Sequence, residues 1–174
     1  IQSEILHFTL SISIKFFYIL IKIMIIKTIR GITPKFGKNC FFAENSTVIG
    51  DVIMGDEVSV WYHSVVRGDV NSIKIGNKVN IQDGVVIHAT YKTAQTNIGN
   101  NVSIGHNAII HGCTLDDNVL VGMGSIIMDN CLIGSNCIIA AGAVVTQNTI
   151  ISAGSIYGGV PAKKIKDIDI KSHK

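Results

Sequence analysis

His88, His106 and His111 are the side chains whose type and spacing point most directly to chemistry. Imidazole nitrogens bind transition metals, and an ion held by three of them with one open position activates a water. Whether three histidines can share an ion depends on where the chain's own repeat puts them. His88 follows Ile87 and His111 follows Ile110, each one residue past an aliphatic anchor. His106 stands two residues past its anchor, Ile104.

The anchors recur every six residues. The runs go from Phe36 through Phe42, Val48, Met54 and Val60 to Val66, from Ile75 to Ile87, from Ile98 to Ile110, and from Leu115 to Val145. The position four after each anchor is small or β-branched, as at Cys40, Val58, Val70, Val79, Ala108, Thr114, Cys131, Cys137 and Ala143. Neither a helical period nor a simple alternation produces this pattern. A hexapeptide period is the signature of a parallel β-helix, whose coils stack on one another. Three hexads close one triangular coil, with the anchor inside and the small residue near a corner. Stability is then close to a sum of nearest-neighbour terms. About six or seven coils fit between Phe36 and Val145, enough for one all-β domain.

Phase now places the histidines. Apart from an eleven-residue step between Ile87 and Ile98, the anchors of His88 and His111 are one coil apart. The two side chains should project the same way from adjacent coils, about 4.8 Å apart. That is close enough for one tetrahedral ion. His106 alternates to another direction and lies on a different wall. A wall is of order 15–18 Å wide at the usual rise per residue. His106 should therefore serve the ion of a neighbouring subunit, which predicts a cyclic homotrimer with metal sites at its interfaces. His7, His63 and His173 have no such phase.

Composition narrows the alternatives. A net charge of +3 with no basic stripe argues against nucleic acid. Three of the four cysteines, Cys40, Cys131 and Cys137, fall at the small interior position. They read as reduced, structural thiols, and the chain as cytoplasmic. Residues 1–23 are apolar but show no hexad, and Lys15 and Lys22 interrupt them. Met24 opens a natural-looking start, so residues 1–23 read as an upstream extension, with a membrane anchor as the other reading. The β-helix domain then runs 24–160 and a short C-terminal helix or tail 161–174, with Pro161 in its first turn.

Four segments, VWYHSVVRGDV, IGNKVNIQDGVVIHA, IGHNAIIHGC and YGGVPAK, together resemble the γ-class carbonic anhydrases and their relatives, over Ile29 to about Lys164. The resemblance implies a left-handed parallel β-helix trimer with one divalent metal per interface. His88 and His111 would come from one subunit and His106 from the next. The expected ion is Zn2+, and imidazoles also suit Fe2+ and Co2+. The implied activity is reversible hydration of CO2 to bicarbonate by hydroxide formed at the metal.

The resemblance also marks Arg67, Asp69, Gln82, Asp83 and Tyr157 as site residues. Gln82 would orient the hydroxide, and Arg67 would assist bicarbonate while pairing with Asp69 across the interface. Asp83 would support Arg67 or the interface, and Tyr157 would lie near the metal. Interface packing is the competing role for the first four, and packing of the C-terminal segment for Tyr157. The acidic proton-shuttle residues of archetypal members are missing, since the 89–97 loop holds Lys92 but no carboxylate. Three other functions share this framework: a hexapeptide acyltransferase, a metal-dependent acyl-CoA thioesterase, and a catalytically silent trimer. An acyltransferase would need only one catalytic histidine.

Overall fold

A computed structural model describes residues 24–168. The expectations placed on residues 1–23 and on His173 lie outside the described residues. The chain winds as an all-β parallel solenoid of about 7 turns, in keeping with a left-handed β-helix.

Three walls make up the prism. The first stacks Val65–Val66, Val86–His88, Ile109–His111, Ile126–Ile127 and Val144–Val145 in parallel register. The second stacks Ile73–Ile75, Thr96–Ile98, Thr114–Leu115, Leu132–Ile133 and Ile150–Ile151. The third runs from Phe41–Phe42 through Ser59–Val60, Asn80–Ile81, Ser103–Ile104, Leu120–Val121 and Ile138–Ile139 to Ser155–Gly158. The long strand Val65–Ile75 rounds a corner and joins the first two walls into one sheet.

The hexad anchors are the core. Phe36 and Phe42 pack half-buried at the open end, and the later anchors from Val48 to Val145 are buried. Each buried aliphatic side chain is worth roughly 1.5–3 kcal/mol relative to exposure. Corners need a left-handed residue, and three past the anchor the chain often supplies asparagine. Asn101, Asn118 and Asn136 all have positive φ on one edge. Asparagine tolerates this conformation better than other side chains with a Cβ.

The repeat extends further than its sequence pattern indicated. Ile151 is buried six residues after Val145, and Tyr157 follows at the next step, packed against the core. Two positions expected to point inward do not. Val70 is only half-buried, because the corner-rounding strand gives the inward place to Ile73. Thr114 is half-buried as well, because the five-residue step to Leu115 moves the inward place to Cys113.

The expected C-terminal helix is absent among the described residues. Lys163–Asp167 is instead a strand, antiparallel to Ser155–Gly158. The last coil presents unpaired backbone groups at the end of the third wall, and this strand satisfies them. The alternation Lys164, Ile165, Lys166 suits a strand with one solvated face better than a packed helix.

All four cysteines are free, with Cys113, Cys131 and Cys137 buried and Cys40 half-buried. No helix among the described residues is long and apolar enough to cross a membrane.

Candidate metal centre

Arg67, His88 and His111 form one column on the outer face of the first wall. Val66 pairs with Ile87 and Ile87 with Ile110, so the residue after each anchor stacks on the next. His88 and His111 are themselves register partners. His88 Nδ1 and His111 Nε2 stand 3.1 Å apart, with ring centroids separated by 5.1 Å.

The outer nitrogen of each ring meets a carboxylate. His88 Nε2 lies 2.9 Å from Asp69 Oδ1, and His111 Nδ1 lies 2.5 Å from Asp129 Oδ1. An ionised carboxylate only accepts, so both rings donate from their outer nitrogen. With both rings neutral, their inner nitrogens are two lone pairs facing one another, a placement that a shared cation satisfies. Two nitrogens each about 2.0–2.1 Å from one tetrahedral ion stand about 3.3 Å apart, close to the observed spacing. The donor set and its geometry thus fit a divalent metal.

Asp69 also accepts from Arg67 Nη1 at 2.6 Å. This ion pair closes within one chain. Burial pushes the Asp69 carboxyl up, but hydrogen bonds from His88 and Arg67 outweigh it and hold the group below the ordinary carboxylate value. The same balance holds Asp129 low. Burial raises it, and the hydrogen bonds from Thr90 and His111 lower it further.

His106 lies elsewhere. It follows the Ser103–Ile104 strand of the third wall, and its Nδ1 is 3.0 Å from Asp83 Oδ2. Both groups are partly exposed. Among the described residues of one chain, no three histidine, cysteine or acidic side chains come together as a metal cluster. Within one chain Asp83 partners His106.

Gln82, next to Asp83, is tied into the wall through its backbone. Its N–H donates to Ile104 O at 3.0 Å, and its carbonyl accepts from Ser64 Oγ at 2.6 Å. Its side chain is half-buried. Tyr157 occupies the anchor column of the third wall, in register with Ile139 and paired across to Lys164.

Three residues that sequence reasoning missed complete the site. Asp129 lies 18 residues after His111, one coil on, so a search for carboxylates at that interval had a signal to find. Thr90 bonds Asp129 Oδ2 at 2.6 Å, but it sits in the insertion after His88, where the hexad gives no phase. Gly112, with φ +56, leaves the space that the Asp129 carboxylate fills.

Beside His111 a groove of about 320 Å³ is lined by Ile109, His111, Ile126, Met128, Asp129 and Gln147. Ile109 and Met128 of its lining are exposed, as is Val86, the register partner of Ile109.

A hexapeptide solenoid with coil-stacked, carboxylate-backed histidines defines a class, and the comparisons with known proteins place the chain within it. The family model for the bacterial transferase hexapeptide (six repeats) matches residues 112–147, and that for the hexapeptide repeat of succinyl-transferase matches residues 95–128. A protein of Methanocaldococcus jannaschii named "Probable carbonic anhydrase" is 56% identical over 140 residues, covering 79% of this chain and 87% of that protein. The mitochondrial gamma carbonic anhydrase 2 of Arabidopsis thaliana is 43% identical over 141 residues, 78% of this chain. The match spans about half of that relative's length, 51%. The crystal structure of a hexapeptide transferase family protein from Anaplasma phagocytophilum superposes with a TM-score of 0.80 at 39% identity, covering 84% of this chain and 86% of that one. The chain belongs to the γ-class carbonic anhydrase-like family of hexapeptide-repeat proteins.

Proposed function

We propose that the protein catalyses the reversible hydration of CO2 to bicarbonate at a divalent metal shared between subunits of a homotrimer. The observation that carries this reading is the pair of inner nitrogens 3.1 Å apart on His88 and His111, each ring fixed from behind by a carboxylate. Zn2+ is the ion proposed, with Fe2+ and Co2+ as chemically suited substitutes. When bound, it supplies Lewis acidity that brings the pKa of a water at its open position toward neutrality.

The chain's residues have separable tasks. His88 and His111 of one subunit hold two positions, and His106 of the next subunit holds the third. Asp83, bonded to His106 Nδ1, leaves His106 Nε2 as the free ligand nitrogen. Gln82, at the start of the same turn, is placed to orient the reacting water through its amide. Arg67, one coil from His88 and paired with Asp69, offers a cation to the bicarbonate product. Tyr157 packs the final coil, in register with Ile139. The apolar groove beside His111, lined by Ile109, Ile126 and Met128, supplies an apolar approach suited to CO2.

The acyltransferase reading draws on the transferase name of the Anaplasma phagocytophilum neighbour. Metal content separates the two. The full chain, purified anaerobically and reconstituted with Zn2+ or Fe2+, should bind about one ion per subunit interface. It should then hydrate CO2 in stopped flow, and His111→Ala should abolish both properties. A protein that binds no ion and acylates amines from acetyl-CoA would refute the anhydrase reading.

A further inference from the structure

Asp129 belongs to no hexad position with an assigned task. Its carboxylate is nonetheless bonded on both oxygens, Oδ1 to His111 Nδ1 at 2.5 Å and Oδ2 to Thr90 Oγ1 at 2.6 Å. It reaches His111 from the following coil by crossing over Gly112. A Cβ built on Gly112 would stand 2.4 Å from Asp129 Oδ1 and 2.8 Å from the Ala94 Cβ. Gly112 is itself fixed, its N–H bonded to Thr96 Oγ1 at 3.0 Å and to His88 O at 3.2 Å. Thr90 is fixed as well, because the insertion closes on itself between Thr90 N and Ala94 O at 2.9 Å.

We propose that Asp129, Thr90 and Gly112 form a clamp that selects the Nδ1–H tautomer of His111 and so presents its Nε2 to the metal. A solvated neutral imidazole favours the opposite tautomer, with the proton on Nε2. Left to water, His111 would carry a proton on the nitrogen that faces His88. The carboxylate reverses this preference by accepting from Nδ1, and an outer-shell carboxylate of this kind also raises ligand basicity. The side-chain hydroxyl of Thr90 has only one task in this arrangement, to hold Asp129 in the acceptor geometry. The insertion that interrupts the hexads after His88 therefore supplies a part of the site. Asp129 is a positioning residue that acts through His111, and the proposal rests on the metal reading of the preceding subsection.

The test uses the full-length protein, uniformly 15N-labelled and freed of metal by chelation. Long-range 1H–15N correlation of the imidazoles, with His111→Ala to assign the signal, reports the tautomer directly. His111 should carry its proton on Nδ1 in the wild type and shift toward Nε2–H in Asp129→Ala. Zn2+ affinity should fall about 10–100-fold in Asp129→Ala, within the range for lost outer-shell partners. Thr90→Val, which leaves the carboxylate in place, should weaken Zn2+ several-fold with an unchanged circular dichroism spectrum, and it decides the matter if Asp129→Ala does not fold. An Nε2–H wild-type His111, or a tautomer and affinity unchanged in Asp129→Ala, overturns the clamp. A wild type that binds no Zn2+ overturns the metal reading instead, while the tautomer measurement still decides the clamp.

Discussion

The inner nitrogens of His88 and His111 stand 3.1 Å apart with a carboxylate behind each ring, so a shared cation, whether a metal ion or a proton, satisfies the pair. Asp69 then supports ligation through the histidine it touches. Asp69→Ala should weaken Zn2+ binding about 10–100-fold by equilibrium titration. Arg67→Ala should weaken it less, because Arg67 reaches His88 only through Asp69. An Arg67 variant as weak as the Asp69 variant would mean that the arginine acts on the ion directly. The thiols behave differently from the imidazoles. Burial pushes the Cys113 thiol far above its ordinary range and raises Cys131 as well. Thiolates are the reactive form, so the buried pair should resist alkylation in the native state. Iodoacetamide labelling read by mass spectrometry should modify half-buried Cys40 first, with Cys113 and Cys131 reacting only on unfolding.

At the scale of the coil, the hexad places the histidines and the core at once. Ile87 anchors His88, and Ile87 is fully buried. The register of Ile87 with Ile110 is what makes His88 meet His111. A six-residue period carries this information plainly, so the solenoid, its anchors and the pairing of His88 with His111 were legible in the sequence. Departures from six were not legible in the same way. Counting forward from Val66 selects Val70 as inward, and counting from Ile110 selects Thr114. The chain uses Ile73 and Cys113, because the inward place is set by distance to the next anchor rather than from the last. The correction has a measurable consequence. Ile73→Ala should cost about 2–5 kcal/mol in urea unfolding, the range for emptying a packed core position. Val70→Ala should cost under about 1 kcal/mol, as expected away from the core. The Asp129 clamp was hidden for a related reason, since Thr90 sits in an insertion with no phase. The C-terminal strand was hidden because Pro161 followed by a basic run resembles a helix start. What decides its conformation is the unpaired edge of the last coil, which lies far from it in the repeat.

The whole molecule explains why one chain has only part of the site. His88 and His111 share the first wall, His106 leaves the third, and no single chain brings the three together among the described residues. The proposed three-fold arrangement would close this gap, with each interface taking two histidines from one side and one from the other. The apolar strip of Val86, Ile109 and Met128 beside His111 gives such an interface a surface to bury. The most direct measurement mixes two inactive variants. His106→Ala and His111→Ala, each silent in CO2 hydration alone, are unfolded together, refolded with Zn2+ and assayed. In a shared-site trimer every mixed assembly regenerates about one complete site in three, so activity should return. Continued silence of the mixture, with each variant folded and assembled, would contradict a site built between subunits.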